Sequence, residues 1–352
     1  MKIAVLVPTI KPGGAEKQAA LLAVALSQKH EVHFISFYGV KGQSEIVKGF
    51  LESGNVRIYY LTGSFLKKIK SLYLLLISRK IEIAFNYLTF CDVIGAVVER
   101  SAKVKTIYNG IRNSKLAASK MIMELLVHNF IADYTIYNCY SGAKYFEKRG
   151  FINKKTIVIP NCFPDISVPI YRENKETKRI ITIGRFETQK DYLTAIKSIS
   201  KLNEKRTDFK FIIIGHGNLE KRIRTWIEEY HILKCTNVYI APNNVQEILK
   251  ASDIYLSTSL FEGTSNSLME AMNWSIPIVA TNVGDNNALV VDGENGFLTD
   301  IKDYNTIVRK LELLLDDYQL RLSMGIRGNR RLHNYSSEIF EQNYAKIINL
   351  NK

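Results

Sequence analysis

Cysteine is scarce. There are four in 352 residues, Cys91, Cys139, Cys162 and Cys235, irregularly spaced and never paired as Cys-x-x-Cys. That argues against both a disulfide framework and a zinc site, and for a reducing cytosol. Proline is sparse as well, at seven residues, and charged residues make up 23%; the composition is that of a folded chain. No stretch reaches the roughly 18 apolar residues of a transmembrane helix. The opening MKIAVLVPTIKPGG has too short an apolar core, and no small-residue cleavage site, for a signal peptide; it reads as a first buried strand. Asp-x-Asp occurs nowhere, so no obvious carboxylate pair awaits a divalent ion, and neither metal nor other cofactor is expected. The tyrosines and phenylalanines do not cluster along a basic groove, which removes the stacking platform a nucleic-acid binder needs.

Hydrophobic residues form 46% of the chain, enough for a large core, and the length favours two domains. Charge is one-sided. Lys and Arg number 26 against 13 Asp and Glu in residues 1–178, and 22 against 21 in residues 179–352. A basic half suggests a polyanionic partner, nucleic acid, an acidic membrane surface or a phosphorylated substrate, or else only solubility and drift of composition.

Short β-branched runs alternate with longer stretches of helical period. Residues 3–7, 31–37, 81–85, 105–108, 134–137 and 156–159 read as strands, and 15–29 as a helix. The pattern restarts with strands at RIITIG, KFIIIG, 238–241, 254–257 and 276–280, and helices at 192–202 and 219–230. This order predicts parallel sheets covered on both faces. The expected organisation is a domain over 1–165, a linker over 166–178, a second domain over 179–334, and a C-terminal helical segment, 335–352, returning to the first. Ligands are expected in a cleft at the carboxyl ends of the strands.

Several turns carry candidate chemistry. PTIKPGGAEKQAA sets Gly13 and Gly14 between a strand and a helix, where glycine admits an anion to the helix N-terminus or simply relieves crowding. In IGRFETQK, Gly184 and Arg185 follow a strand and Lys190 lies five positions on from Arg185. The two cations can clamp one diphosphate or form surface ion pairs. IIIGHGNL repeats a strand-to-glycine turn at Gly215 and Gly217, and His216 between them reads as a bystander. FEGTSNSLMEAMNW places Glu262 and Gly263 before a helix whose start falls near Ser265 and Asn266. Glu270 lies on its second turn. The N–H groups of Thr264, Ser265, Asn266, Ser267 and Leu268 then fall between two carboxylates, a layout that fits a nucleotide sugar. Helix capping accounts for one glutamate but not both.

The pairing of Glu262 with Glu270 resembles the E-x7-E signature of retaining GT-B glycosyltransferases of family 4. GGAE at residues 13–16, IPN at 159–161, GR-x4-K at Gly184, Arg185 and Lys190, G-x-G at Gly215 and Gly217, and DGENGFL at 292–298 fall in that family's order. The resemblance spans nearly the whole chain and is sharpest from about residue 180 to residue 298. It implies an α/β GT-B fold, two doubly wound Rossmann-like domains facing a central cleft. It also implies transfer of a hexose or N-acetylhexosamine, with retention, from a nucleoside-diphosphate sugar, UDP-sugar favoured. Arg185 and Lys190 would stabilise the departing diphosphate, Glu262 would meet the sugar, and Glu270 would hold the ribose. Backbone N–H groups of Gly14 and of residues 264–268 would cradle phosphate. The chain departs from the family in three places. EGTS stands where many members have EGFG, and Ser275 stands where many have a helix-ending glycine, so the turn there is expected to differ. TIYNGIRNSKL lacks a frequent histidine and offers Asn109, Arg112 and Asn113 instead; Asn109 and Arg112 are the candidate acceptor contacts.

LKKIKSLYLLLISRK, residues 66–80, has basic ends around apolar residues. It could lie on an anionic membrane or pack on the sheet with its lysines in water. With the basic half, it leads to an expected acceptor that is lipid-linked and phosphate-bearing, an undecaprenyl-diphosphate-linked saccharide in bacterial surface-polysaccharide assembly. The expected location is cytoplasmic, peripheral on the inner face of the membrane. Two other readings stay open: a nucleotide-sugar epimerase of the same fold, and a non-catalytic nucleotide-sugar-binding protein.

Overall fold

The computed structural model describes residues 1–11, 13–40, 43–112 and 116–349. The chain divides into two units: Met1–Pro164 with the C-terminal stretch from Tyr335, and Asp165–Asn334.

Among the described residues, the first unit holds seven parallel strands: β1 (Lys2–Val7), β2 (Glu31–Ser36), β3 (Val56–Tyr60), β4 (Ile83–Asn86), β5 (Thr106–Ile111), β6 (Tyr134–Tyr137) and β7 (Thr156–Val158). They lie in the order β3-β2-β1-β4-β5-β6-β7. In β1 successive side chains enter opposite faces, and both faces are covered. Ile3, Val5 and Val7 join one core with Phe34, Phe85 and Tyr344; Ala4 and Leu6 join the other with Phe37, Leu72 and Ala84. Such double burial turns period-2 alternation into a continuous apolar run. The helix Ser337–Asn349 belongs to this unit: Tyr108 Oη donates to Ile347 O at 2.9 Å and Lys29 pairs with Glu341 at 2.8 Å.

The sequence reading assigned no strand to Val56–Tyr60. Its residues are half-buried or exposed and Arg57 sits mid-strand. As an edge strand it carries no buried apolar run to betray it.

The second unit holds β8 (Lys178–Ile183), β9 (Phe209–Gly215), β10 (Thr236–Ile240), β11 (Ile254–Ser257), β12 (Ile278–Thr281) and β13 (Gly296–Thr299), in the order β10-β9-β8-β11-β12-β13. Its core joins Ile180, Phe211, Ile213 and Leu256 to Ile196, Ile199 and Leu311 of covering helices. The strand order reverses direction beside β8, leaving a crevice between the carboxyl ends of β8 and β11. The segment read as a linker has neither helix nor strand before residue 178, and it is bonded to this unit. Ser167 N donates to Asn273 Oδ1 at 2.7 Å and Ile170 N to Ser275 Oγ at 3.0 Å.

The expectation of a different turn at Ser275 is corrected. Ser275 takes φ 54°, the left-handed conformation that a glycine would adopt. The hydrogen bond that its hydroxyl accepts from Ile170 offsets the steric cost. Among the described residues, no helix is long and apolar enough to cross a membrane.

Candidate active site

The β8–β11 crevice is a cavity of about 320 Å³, and both carboxylates of the E-x7-E pair line it, with Arg185 and Lys190. Strand order explains the meeting. Residues 184–190 leave the end of β8 and residues 258–262 leave the end of β11, and these strands are neighbours although 72 positions separate Lys190 from Glu262.

The two loops are tied by backbone and side chain. Leu260 N donates to Gln189 O at 2.8 Å, and Gln189 Nε2 to Phe261 O at 2.8 Å. Thr258 Oγ1 donates to Asp191 O at 2.9 Å. On this frame Lys190 Nζ reaches Glu262 Oε1 at 2.6 Å, and Ser259 Oγ donates to the same oxygen at 2.7 Å. Ser259 is itself held from behind, its carbonyl accepting from Thr281 Oγ1 at 2.6 Å. Glu262 is only 7% exposed, so its carboxylate sits in a low-dielectric surrounding where the lysine and the hydroxyl count for more than in water.

Arg185 behaves differently. Its guanidinium is largely exposed and pairs with Glu187 at 3.0 Å. The surface-ion-pair reading and the cavity-lining reading therefore both apply to it.

Helix Asn266–Asn273 starts at the cavity with Ser265 as N-cap, and no side-chain capping bond forms. Thr264, Ser265, Asn266 and Ser267 line the cavity, and so does Glu270 from the second turn. Tyr255 of β11 lies beneath. Its hydroxyl donates to Ile183 O at 3.1 Å, accepts from Ile183 N at 3.3 Å, and hydrogen-bonds Ser267. Burial raises its pKa far above the usual phenol range, so it stays a neutral strut joining β8 to the helix start.

Gly184 also lines the cavity; Gly215, Gly217, Gly263 and Leu268 do not. A Cβ at Gly215 would collide with Gly184 O, and one at Gly217 would lie 2.8 Å from Phe186 O. These two glycines let the loop after β8 lie against the β9 turn, where Phe186 N meets His216 O at 2.7 Å. Leu268 is fully buried core. Sequence reading missed Ser259, Gln189 and Tyr255; only the serine's place three residues before Glu262 could have marked one of them. It also missed Gly284, at φ 58°, where a Cβ would collide with Glu262 O.

Gly13, Gly14, Asn109 and Arg112 belong to the first unit. Gly14 opens helix Gly14–Ser27 with Gly13 as its extended N-cap, and Glu16 folds back against Gly13. Asn109 is buried in a network: its Nδ2 donates to Asp92 O, and its Oδ1 accepts from Asn86. Arg112 lies over the Tyr87 ring at 4.5 Å and donates to Tyr344 Oη at 3.2 Å. Asn113 lies outside the described residues.

Residues 165–331 match the family model for glycosyl transferases group 1. Over 99% of this chain and 98% of the relative, the sequence is 21% identical to the GalNAc-alpha-(1->4)-GalNAc-alpha-(1->3)-diNAcBac-PP-undecaprenol alpha-1,4-N-acetyl-D-galactosaminyltransferase of Campylobacter jejuni. It is 24% identical to the UDP-Gal:alpha-D-GlcNAc-diphosphoundecaprenol alpha-1,3-galactosyltransferase of Escherichia coli, over 73% of this chain and 72% of that one. Among solved structures, HepE of Anabaena in complex with UDP-glucose superposes with a TM-score of 0.84 at 17% identity, covering 99% of each chain. Residues 165–331 are thus a glycosyl transferases group 1 domain, and the two Rossmann-like sheets give the chain the fold of GT-B glycosyltransferase structures.

Proposed function

We propose that the chain transfers a sugar, with retention, from a UDP-sugar to an undecaprenyl-diphosphate-linked saccharide during bacterial surface-glycan assembly, working at the inner face of the membrane. The observation that carries the donor half is the single cavity lined by Arg185, Lys190, Glu262, the start of helix Asn266–Asn273 and Glu270. The acceptor half is supported by the basic first half of the sequence and by relatives whose names carry PP-undecaprenol and diphosphoundecaprenol acceptors.

The diphosphate lies against the helix N-terminus and between the two cations. Lys190 has three N–H donors; one serves Glu262, and two remain for phosphate oxygens. Arg185 is held by an exposed pair worth little, so it can turn from Glu187 to the diphosphate. Glu262, pinned through one oxygen, meets the sugar hydroxyls, and Glu270 accepts from the ribose. The bond from sugar C1 to the phosphate oxygen breaks. The acceptor oxygen bonds to C1 on the same face, and its proton passes to the departing phosphate. Fixed cations do the work of a divalent ion, so chelator leaves the rate unchanged.

A thermal-shift panel of UDP, GDP, ADP and CMP on wild type and Glu270→Ala tests this. UDP at about 100 times its dissociation constant adds roughly 2.7 kcal/mol, and the variant loses most of it. Stabilisation by none of the four would overturn the donor reading. The anomeric configuration of the product, read by NMR, decides retention.

A further inference from the structure

The first unit has its own switch point, between β1 and β4, and a cavity of about 470 Å³ opens there at the carboxyl ends of the strands. Pro8 follows β1, residues 88–94 follow β4, and Gly110, Ile111 and Arg112 end or follow β5. The walls are apolar: Leu88, Phe90, Val93, Ile94, Ile111 and Leu116. Two cations, Arg112 and Lys120, stand among them, and no described carboxylate lines the cavity.

Three further features point to a ligand. Arg112 stands in the wall with Nη2 donating to Tyr344 Oη, while its Nε and Nη1 are buried without a hydrogen-bond partner, so its donors are only partly used. Asp92, which interacts electrostatically with Arg112, is fully buried, and its Oδ1 accepts from Gly110 N. Leu88 is held at φ 71°, a bulky side chain in the left-handed region at the cavity wall. Apolar surface also runs outward from the cavity on both sides. Met123 lines it and is exposed on helix Ala118–Phe130 together with Ile122, Leu126 and Phe130. Phe90 packs on Tyr38 at 5.0 Å and Phe65 at 6.5 Å, and Phe65 opens helix Phe65–Arg79, which also exposes Leu66, Leu74 and Ile77.

A branched apolar hole with cations inside it and apolar surface leading out of it suits an amphiphile whose anion is joined directly to its hydrocarbon. We infer that this crevice takes the first isoprene units of the acceptor's lipid, with the lipid's diphosphate at Arg112 and Lys120. The inference rests on the lipid-linked acceptor proposed above and assigns it a place.

Calorimetric titration of the full chain with farnesyl diphosphate tests it, with farnesol and inorganic diphosphate as the separate halves. Wild type binds the whole molecule at least ten-fold tighter than either half. Val93→Trp, which fills the hole, and Lys120→Glu, at an exposed position that leaves the fold intact, each weaken it ten-fold or more. UDP stabilises all three proteins equally. Equal binding of farnesyl diphosphate to wild type and Val93→Trp keeps a prenyl-diphosphate acceptor but overturns this site. Inorganic diphosphate binding as tightly as the whole removes the isoprene from the crevice, and displacement by phosphatidylglycerol vesicles would assign it to membrane acyl chains; either overturns the inference. If UDP stabilises the chain and farnesyl diphosphate does not bind, the inference falls and the donor reading stands. If farnesyl diphosphate binds here and no nucleotide stabilises the chain, the donor reading falls instead.

Discussion

Lys190 Nζ lies 2.6 Å from Glu262 Oε1, the lysine only partly exposed and the glutamate nearly buried. A charge pair in that position is costly to break from one side, because the remaining charge keeps its desolvation penalty and loses its partner. Lys190→Met is expected to lower stability by about 2–3 kcal/mol, less than a wholly buried pair because the lysine still touches water. It lowers the transfer rate by roughly 100-fold or more. Adding Glu262→Gln to Lys190→Met recovers most of the stability and none of the rate. Urea unfolding and initial rates on wild type and the two variants separate the two roles.

Ser259 positions Glu262 and does not reach the cavity lining itself. Ser259→Ala removes a hydrogen bond to a charged acceptor, worth about 1.5–3 kcal/mol. The expected kinetic signature is a fall in kcat of about ten-fold with the donor KM little moved, since a freed carboxylate still binds but is less well aimed. A change confined to KM would contradict the positioning role.

Ser275 sets two effects of similar size against each other. Glycine at φ 54° would relieve roughly 1 kcal/mol of strain and lose a hydrogen bond to Ile170 N worth about the same. Ser275→Gly is therefore expected within about 0.5 kcal/mol of wild type. Ser275→Ala loses the bond and keeps the strain, and is expected to cost about 1 kcal/mol. Chemical denaturation of both variants checks the ordering.

Glu99 is fully buried in the first unit beside Asn86, with Asp92 on its own helix and the Arg100 charge nearby; Glu124 of a neighbouring helix hydrogen-bonds Asp92. Burial pushes its pKa to about 8 from an ordinary 4.5, against the Asn86 hydrogen bond, with Asp92 adding to the rise. The folded state thus holds a proton that the unfolded state releases above pH 4.5, so stability falls as pH rises from about 4.5 to about 8 and then levels. Glu99→Gln flattens that slope and is the more stable protein at pH 8. Melting temperatures of both proteins across this window provide the check.

Much of the candidate site's lining was legible because its signals are local. GR-x4-K and E-x7-E sit at strand ends, and their spacing alone sets a cation after one strand and a carboxylate at each end of a helix start. The central strands were legible because burial on both faces makes them unbroken apolar runs. The edge strand Val56–Tyr60 and the glycines at 215 and 217 were harder. An edge carries no such run, and a glycine looks the same whether it makes room for a ligand or for the backbone of Gly184. The buried acids Asp92, Glu99 and Glu124 were invisible, since helical carboxylates normally face water and only packing reveals that these do not.

The sequence by itself determined the two α/β halves, the one-sided charge and the residue types that could hold a nucleoside diphosphate, because periodicity, composition and short spacings are properties of a few neighbouring residues. Tertiary structure decided that Lys190 meets Glu262, that Ser259 shares the same oxygen, and that Arg112 stands in an apolar crevice. Those relations depend on β11 lying beside β8 and on β4 lying beside β1. Strand order is set by how whole sheets bury their faces, and no short stretch of sequence contains it.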